Sequence, residues 1–364
     1  MSIDSRASAG GAPAPQPPAA RTAAAPLPLE QVDCPLCGAA SAVHVASSRD
    51  VAMGVPGVFS LARCARCGLL HQNPRVRVDH LDRAYPPNYG PHARDPELPR
   101  ILTSRGRAVR FVLHERLGYG HVDVSDVGWR DRLAGRWRRR KIVTAFPPWH
   151  GQGRLLDVGC ASGKFLGQMR AMGWSVAGVE FDPEAALKAK TITPDVFVGD
   201  PVDAPFAPAS FDLITAFHVI EHLPFPREAL GRMLGWLAPG GLIVVEVPNV
   251  GGVGGRLFGR YWSGLDFPRH LVHFTPSTMD QMVARAGGRV VDAVHRTKPR
   301  YLTRSMKHWL SGRESGAARL GLTLLQSPPV RGGLKAVLEV TMPLGRALGY
   351  GEAVRYFIRR KDDG

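Results

Sequence analysis

The sequence has few cysteines, few acids and no long apolar run, and each shortage narrows what it can be. Only five cysteines occur in 364 residues, too few for a disulfide-built scaffold. No stretch approaches the roughly 20 apolar residues that a membrane-crossing helix needs. The N-terminal MSIDSRASAGGAPAPQPPAARTAAAP has neither a basic leader nor a leucine-rich core, so no secretory signal is read and a cytoplasmic location is expected. Acids are outnumbered, 31 Asp and Glu against 47 Lys and Arg, for a formal charge of +16. That excess implies attraction to something anionic, whether nucleic acid, an acidic lipid surface or a phosphorylated substrate. Hydrophobic residues make up 44% of the chain, ample for one large core, and the length fits about two domains.

Composition divides the chain into five parts. Residues 1–30, rich in Ala, Pro and Gly, are expected to be a disordered tail. Residues 31–75 carry four cysteines, and 76–148 form a basic connector containing RDRLAGRWRRRK at 130–141. From Gly153 short β-branched runs alternate with helix-length segments. The strand candidates are 154–159, 175–180, 196–200, 211–217, 241–247, 288–296 and 352–360. A helix is expected to begin at Thr275 with Pro276 in its first turn. The expected fold class is α/β: a doubly wound, seven-stranded, mostly parallel sheet over 149–297 and 348–364. Residues 298–347 interrupt it as a basic helical insertion.

The cysteines stand as two CxxCG knuckles, Cys34 with Cys37 and Cys64 with Cys67, 26 residues apart. This spacing presents four thiolates to one tetrahedral ion and leaves no open position, so a structural Zn2+ is expected rather than two disulfides. Tyr85 and Tyr89, just beyond, are read as packing a hinge, with reach into a neighbouring site as the alternative.

The segment LLDVGCASGKF, 155–165, joins a strand to a helix through a turn poor in side chains. It fails as a phosphate loop, because the glycines are too close and Phe165 follows Lys164. It is poor as a dinucleotide fingerprint, because Ala161 stands where the second glycine belongs. The acids are more telling. Asp157 precedes the turn, Glu180 ends the next strand and Asp200 ends the third, so one crevice of a parallel sheet would collect all three. A carboxylate at the second strand suits a ribose diol, and one at the turn suits a cation. S-adenosylmethionine offers both, whereas a pyrophosphate would be repelled.

The segments LLDVGCASG, VAGVEFDP, VGD, SFDLITAFHVIEHLPFP and LAPGGLIVVEVPN together resemble class I S-adenosylmethionine-dependent methyltransferases. The CxxC…CxxCGLL…NPR stretch and PRHLVHFTPSTM at 268–279 resemble a subgroup with an N-terminal zinc-ribbon module. The resemblance implies cofactor contacts from Asp157, Gly159, Ser162, Gly163, Glu180, Phe181, Asp200 and Phe217, to which the neighbouring Cys160 and Asp182 are added.

Methyl transfer needs alignment, plus a base when the acceptor is a hydroxyl or an acidic carbon. His218, Glu221 and His222 follow the fourth strand, and His270 and His273 lie in PRHLVHF; these five are the candidate catalytic residues. They fit three roles: a single histidine base, a second divalent metal site on Glu221 and the histidines, or a structural cluster. HVIEH resembles an ExxEH metal signature of some related methyltransferases, with His218 in place of its first Glu. Trp262, in GGVGGRLFGRYW, is read as the floor of a gating loop or as part of a plain connector.

The expected acceptor is a small molecule or saccharide, in keeping with the subgroup and with a basic protein that favours anionic partners. RNA methylation is the alternative enzyme, and a non-catalytic zinc-ribbon nucleic-acid binder the alternative of another class. Peripheral contact with acidic membrane through 298–347 is a further expectation, while a packed helical lid accounts for the same sequence.

Overall fold

The computed structural model describes residues 26–86, 89–90, 106–143, 145–313 and 315–363. Residues 1–25 of the expected disordered tail therefore lie outside the described residues.

The cysteine module opens with β1 (Leu29–Glu30), continues through β2 (Ala42–Ser48) and β3 (Phe59–Cys64), and ends on β4 (Leu70–Gln72) and β5 (Arg75–Val76). β5 pairs back on β1, so the tail ends earlier than residue 30. Two helices of the connector follow, α1 (Arg107–Leu117) and α2 (Trp129–Val143), packed against each other where Gly135 lets α2 approach α1. The connector is tied to the large domain by Tyr119, which donates to the Pro147 carbonyl and accepts from Trp174 Nε1 at 3.1 Å.

The large domain runs β6 (Arg154–Val158), α3 (Lys164–Arg170), β7 (Ser175–Glu180), α4 (Pro183–Lys190), β8 (Val196–Val198), β9 (Phe211–Phe217), α5 (Pro226–Trp236) and β10 (Leu237–Pro248). Then come α6 (Val253–Phe258), β11 (Val272–His273), α7 (Pro276–Ala286) and β12 (Gly288–Arg296). The insertion comprises α8 (Pro299–Ser311), α9 (Gly316–Gln326) and α10 (Pro328–Ala347), and β13 (Ala353–Arg360) closes the chain. Seven strands form the sheet in the order β12-β13-β10-β9-β6-β7-β8. β13 is antiparallel to both neighbours, while β10, β9, β6, β7 and β8 are mutually parallel. This is the doubly wound fold expected. Its apolar strands are buried on both faces, as helices on each side require.

Helix α7 shows how the local sequence sets a boundary. Thr275 accepts from the Thr278 amide, Thr278 returns the bond, Pro276 starts the helix and Gly287 ends it at φ 98°.

Two features place the site. Strand order reverses at β6, whose neighbours are β9 and β7, so a crevice opens beyond its C-terminal end. And β11, which belongs to the large domain, adds itself to β4 as the outer strand of the small sheet β11-β4-β3-β2. The cysteine module is thus joined by main-chain bonds to the segment carrying His270 and His273.

Candidate functional site

At the crevice, Asp157 is buried at 4% exposure and accepts from Thr215 Oγ1 at 2.6 Å. Burial, with Glu180 nearby, pushes its carboxyl up to about 7 despite that bond. Glu180 accepts from the Ala161 amide at 2.7 Å and the Asp182 amide at 2.9 Å. The amides of Gly159 and Cys160 donate to the Val179 carbonyl. The turn's N–H groups therefore point into the protein and onto a carboxylate, which is no cradle for phosphate. Two carboxylates beside a half-exposed Phe181 ring fit a ligand that carries a cation, a diol and a flat aromatic base.

Asp200 lies at the third strand end, where it caps the turn at Pro201–Asp203 through the Val202 amide, and burial raises its pKa. Asp182 caps α4 by accepting from the Ala185 amide. Cys160 turns its sulfur inward beneath Gly178 and is buried, so its main chain alone borders the turn. Gly159 and Gly163 take positive φ, and Ser162 is buried between them. Phe217 meets Phe165 edge to face and lies under the Arg355 guanidinium.

Val219 packs directly on Gly159, where any Cβ would fall 2.4 Å from it. This contact sets the segment after β9 against the 159–163 turn. His218 follows, at φ 59°. Its Nδ1 lies 3.2 Å from Glu221 and its Nε2 3.4 Å from Glu246. Burial and Lys298 oppose the charge on His218, but the two carboxylates prevail and raise its pKa. Glu246 also binds Lys298, Arg296 and Arg355, and these cations with His218 hold it far below the usual carboxylate range against its burial.

The rings of His222 and His270 stand edge to face, 4.5 Å apart. His222 Nδ1 lies 3.1 Å from the Arg269 carbonyl, and His270 Nδ1 lies 2.8 Å from the Gly264 carbonyl. A carbonyl only accepts, so His270 Nδ1 carries a hydrogen towards Gly264, and His222 Nδ1 does so in the tautomer that donates to Arg269, leaving His222 Nε2 open in that tautomer. Burial, then the positive field of His270, lowers His222 to about 3. Glu221, His222 and His270 offer ligand atoms within 4.8 Å of one another, and Glu221 Oε2 is buried without a partner among the described residues. His273 faces His270 at 6.3 Å, and burial lowers it also to about 3. Three non-glycine residues with positive φ, Ala161, His218 and Asp266, fall at this site, a clustering typical of functional positions.

The four cysteines form the second cluster. Cys34 and Cys67 sulfurs are 3.5 Å apart, as are those of Cys37 and Cys64, and all four lie within 4.8 Å of one another. No pair is at the bond length of about 2.05 Å that a disulfide requires. Four sulfurs about 2.3 Å from one central ion would stand at nearly this separation, so the set fits a tetrahedral metal.

Comparison with known proteins supplies the class of chemistry. Residues 129–293 match the family model described as "Methyltransferase domain". This part of the chain is similar to a methyltransferase domain. A tRNA U34 carboxymethyltransferase from Methylococcus capsulatus is 34% identical over 184 residues, covering 46% of this chain and 53% of that protein. A ubiquinone biosynthesis O-methyltransferase from Paracidovorax citrulli is 30% identical over 154 residues, 35% of this chain and 63% of the relative. The chain thus spans about half to three fifths of these two relatives. A SAM-dependent methyltransferase from Archaeoglobus fulgidus superposes with a TM-score of 0.41 at 21% identity, covering 69% of this chain and 99% of that one.

Within residues 129–293 the structure brings together the candidates at 157–163 and 180–182, and the histidines at 218, 222, 270 and 273 with Glu221. Tyr85 takes the second of the two roles expected for it: its hydroxyl lies 2.9 Å from His222 Nδ1. Trp262 is buried, with Nε1 donating to Glu352 beside Gly254. Sequence reasoning missed Glu246 and Lys298. A Glu two residues before the end of a strand was a visible signal, but its cations come from β12, β13 and the insertion.

Proposed function

We propose that this chain methylates a small-molecule or saccharide acceptor with S-adenosylmethionine as donor. The observation that carries the reading is the contact of Val219 with Gly159, which sets the His222–His270 pair beside the crevice holding Asp157 and Glu180. Bound S-adenosylmethionine supplies an activated methyl group. Asp157 would bind the cofactor's cationic end, Glu180 its ribose hydroxyls, and Phe181 would cover the base. His222, uncharged at neutral pH but lowered by burial to about 3, is too weak to deprotonate a free hydroxyl and would accept the acceptor's proton at Nε2 only as the forming bond to the methyl carbon acidifies it. Tyr85 and the Arg269 carbonyl keep that ring oriented. The cysteine cluster would hold a structural Zn2+ that fixes β4 and, through it, the His270 segment.

The O-methyltransferase relatives support a small acceptor. The RNA reading draws on the tRNA-modifying relative and the positive charge. Methyl transfer from labelled donor to hydroxylated and saccharide acceptors, and to tRNA, tests this. Incorporation into tRNA alone would replace the small-acceptor reading. No incorporation into anything, with a steep salt dependence of nucleic-acid binding, would favour a non-catalytic binder.

A second reading of the histidines is favoured by the unpartnered Glu221 Oε2. Glu221, His222 and His270 would then hold a divalent cation that fixes the acceptor oxygen, with main-chain carbonyls on each Nδ1 as the supporting shell. Turnover before and after mild chelation, with zinc content held constant, separates the two readings. Loss restored by Mg2+ or Mn2+ means metal, and no change means base. Full turnover by both His222→Ala and His270→Ala would remove both.

The insertion bears an exposed stripe of Val330, Val337 and Leu344 at intervals of seven, with Arg319 and Arg331 exposed near it. Contact of 298–347 with an acidic lipid surface belongs to the same proposal, and vesicle flotation at low salt tests it. Among the described residues no helix is long and apolar enough to cross a membrane.

A further inference from the structure

Helix α2 reads WRDRLAGRWRRRKIV, and its two sides are unlike. The inner side is tight. A Cβ on Gly135 would stand 3.0 Å from the Ala108 carbonyl and the Phe111 ring of α1, and Ile142 is buried beside it. The outer side carries Trp129 at 71% exposure, Leu133 at 62% and Trp137 at 84%. Residues four apart on a helix advance by about 40° and about 6 Å, so these three form one stripe about 12 Å long. Arg130 and Arg136 flank it, and Arg138 and Arg139 are exposed further round the helix, while Arg132 lies over the Phe111 ring of α1. Asp131 is the one acid on the helix, and its carboxylate is engaged by the Gly128 amide. The Arg130 guanidinium sits 5.2 Å over the Trp129 ring.

Two tryptophans and a leucine held in water are unfavourable, so the stripe calls for an occupant. Its charge selects among three. A second copy of the chain would bring arginines against arginines. Single-stranded RNA would satisfy the arginines and stack on indoles, but Leu133 between them offers no platform for a base. An anionic lipid surface satisfies all of them. Indole rings settle at the headgroup level, Leu133 reaches the acyl boundary, and guanidinium groups meet phosphates. We propose that α2 is a docking helix for an anionic lipid surface, separate from the cofactor crevice and from the insertion.

The experiment uses the full-length, zinc-loaded chain with vesicles of phosphatidylcholine alone and mixed with phosphatidylglycerol. Flotation and tryptophan emission are read at low and high salt. The wild type is expected to float with the anionic vesicles at low salt, with a blue-shifted emission, and to be released at high salt. Trp129→Ser combined with Trp137→Ser is expected to weaken partitioning about tenfold or more. S-adenosylmethionine affinity, measured in parallel, should stay unchanged and shows that the variant is folded. Val337→Asp combined with Leu344→Asp, on α10, should leave the blue shift in place. Four results would overturn the proposal: no flotation of the wild type at low salt, equal flotation with neutral vesicles, or binding that survives the tryptophan variant and is lost with the α10 variant. The fourth is a single-stranded RNA that quenches the tryptophans when vesicles do not bind.

Discussion

Arg269 and Asp50 form a two-pronged ion pair, 2.9 Å on each arm, with side chains 0% and 1% exposed. Asp50 belongs to the cysteine module and Arg269 to the segment that ends in His270, so the pair bolts one to the other. Arg269 also meets Asp266, and Gln72 donates to the Pro268 and His270 carbonyls. Removing one partner of a buried pair leaves the other charge uncompensated. Asp50→Ala is therefore expected to lower the unfolding free energy by about 3 kcal/mol. Denaturant titration checks this. Arg77→Ala, which breaks an exposed pair with Asp79, should leave the denaturation midpoint at its wild-type position.

Metal loss should travel the same route. Cys64 ends β3, which pairs with β4, and β4 pairs with β11. Cys64→Ser is expected to abolish stoichiometric zinc in elemental analysis. Amide exchange at Val272 and His273 should accelerate with it. Loss of zinc without faster exchange there would show that the module does not support the histidine segment.

Cofactor affinity should depend on pH through Asp157. Its folded pKa is raised to about 7, so below that pH the free protein carries a proton that a cationic ligand must displace. Affinity is then flat above about pH 7 and falls towards tenfold per unit below it. Calorimetric titration from pH 5.5 to 8, in buffers of different ionisation enthalpy, should show proton release on binding in the acid range. Asp157→Asn should bind more weakly and remove the dependence.

Glu246 gathers Lys298, Arg296, Arg355 and His218 around one buried carboxylate. Glu246→Ala leaves the buried Arg355 and three partly buried cations short of a counter-ion, and a loss of about 3 kcal/mol is expected. Glu246→Gln, which keeps the shape, should retain more stability yet lower turnover by releasing His218. Equal stability of wild type and Glu246→Ala in thermal unfolding would contradict this.

Much of this was legible in the chain because it is local. The strands announce themselves by β-branched runs, α7 by Thr275-Pro276, and the four-cysteine cluster by two CxxCG knuckles. Asp157 and Glu180 are legible because a parallel sheet brings its strand ends to one edge. The pairing of Asp50 with Arg269 was not, since 219 positions separate them and only the fold closes that gap. The same holds for β11, a two-residue strand too short to leave a period, and for Lys298, read as part of a basic insertion. Tyr85 was visible, but its bond to His222 depends on how the module docks.

The most direct test is titration of the zinc-loaded protein with S-adenosylmethionine, alongside Glu180→Ala. The account predicts saturable binding by the wild type and a marked loss of affinity in the variant, with both proteins folded. Absence of binding by the folded wild type, or equal binding by Glu180→Ala, would contradict it.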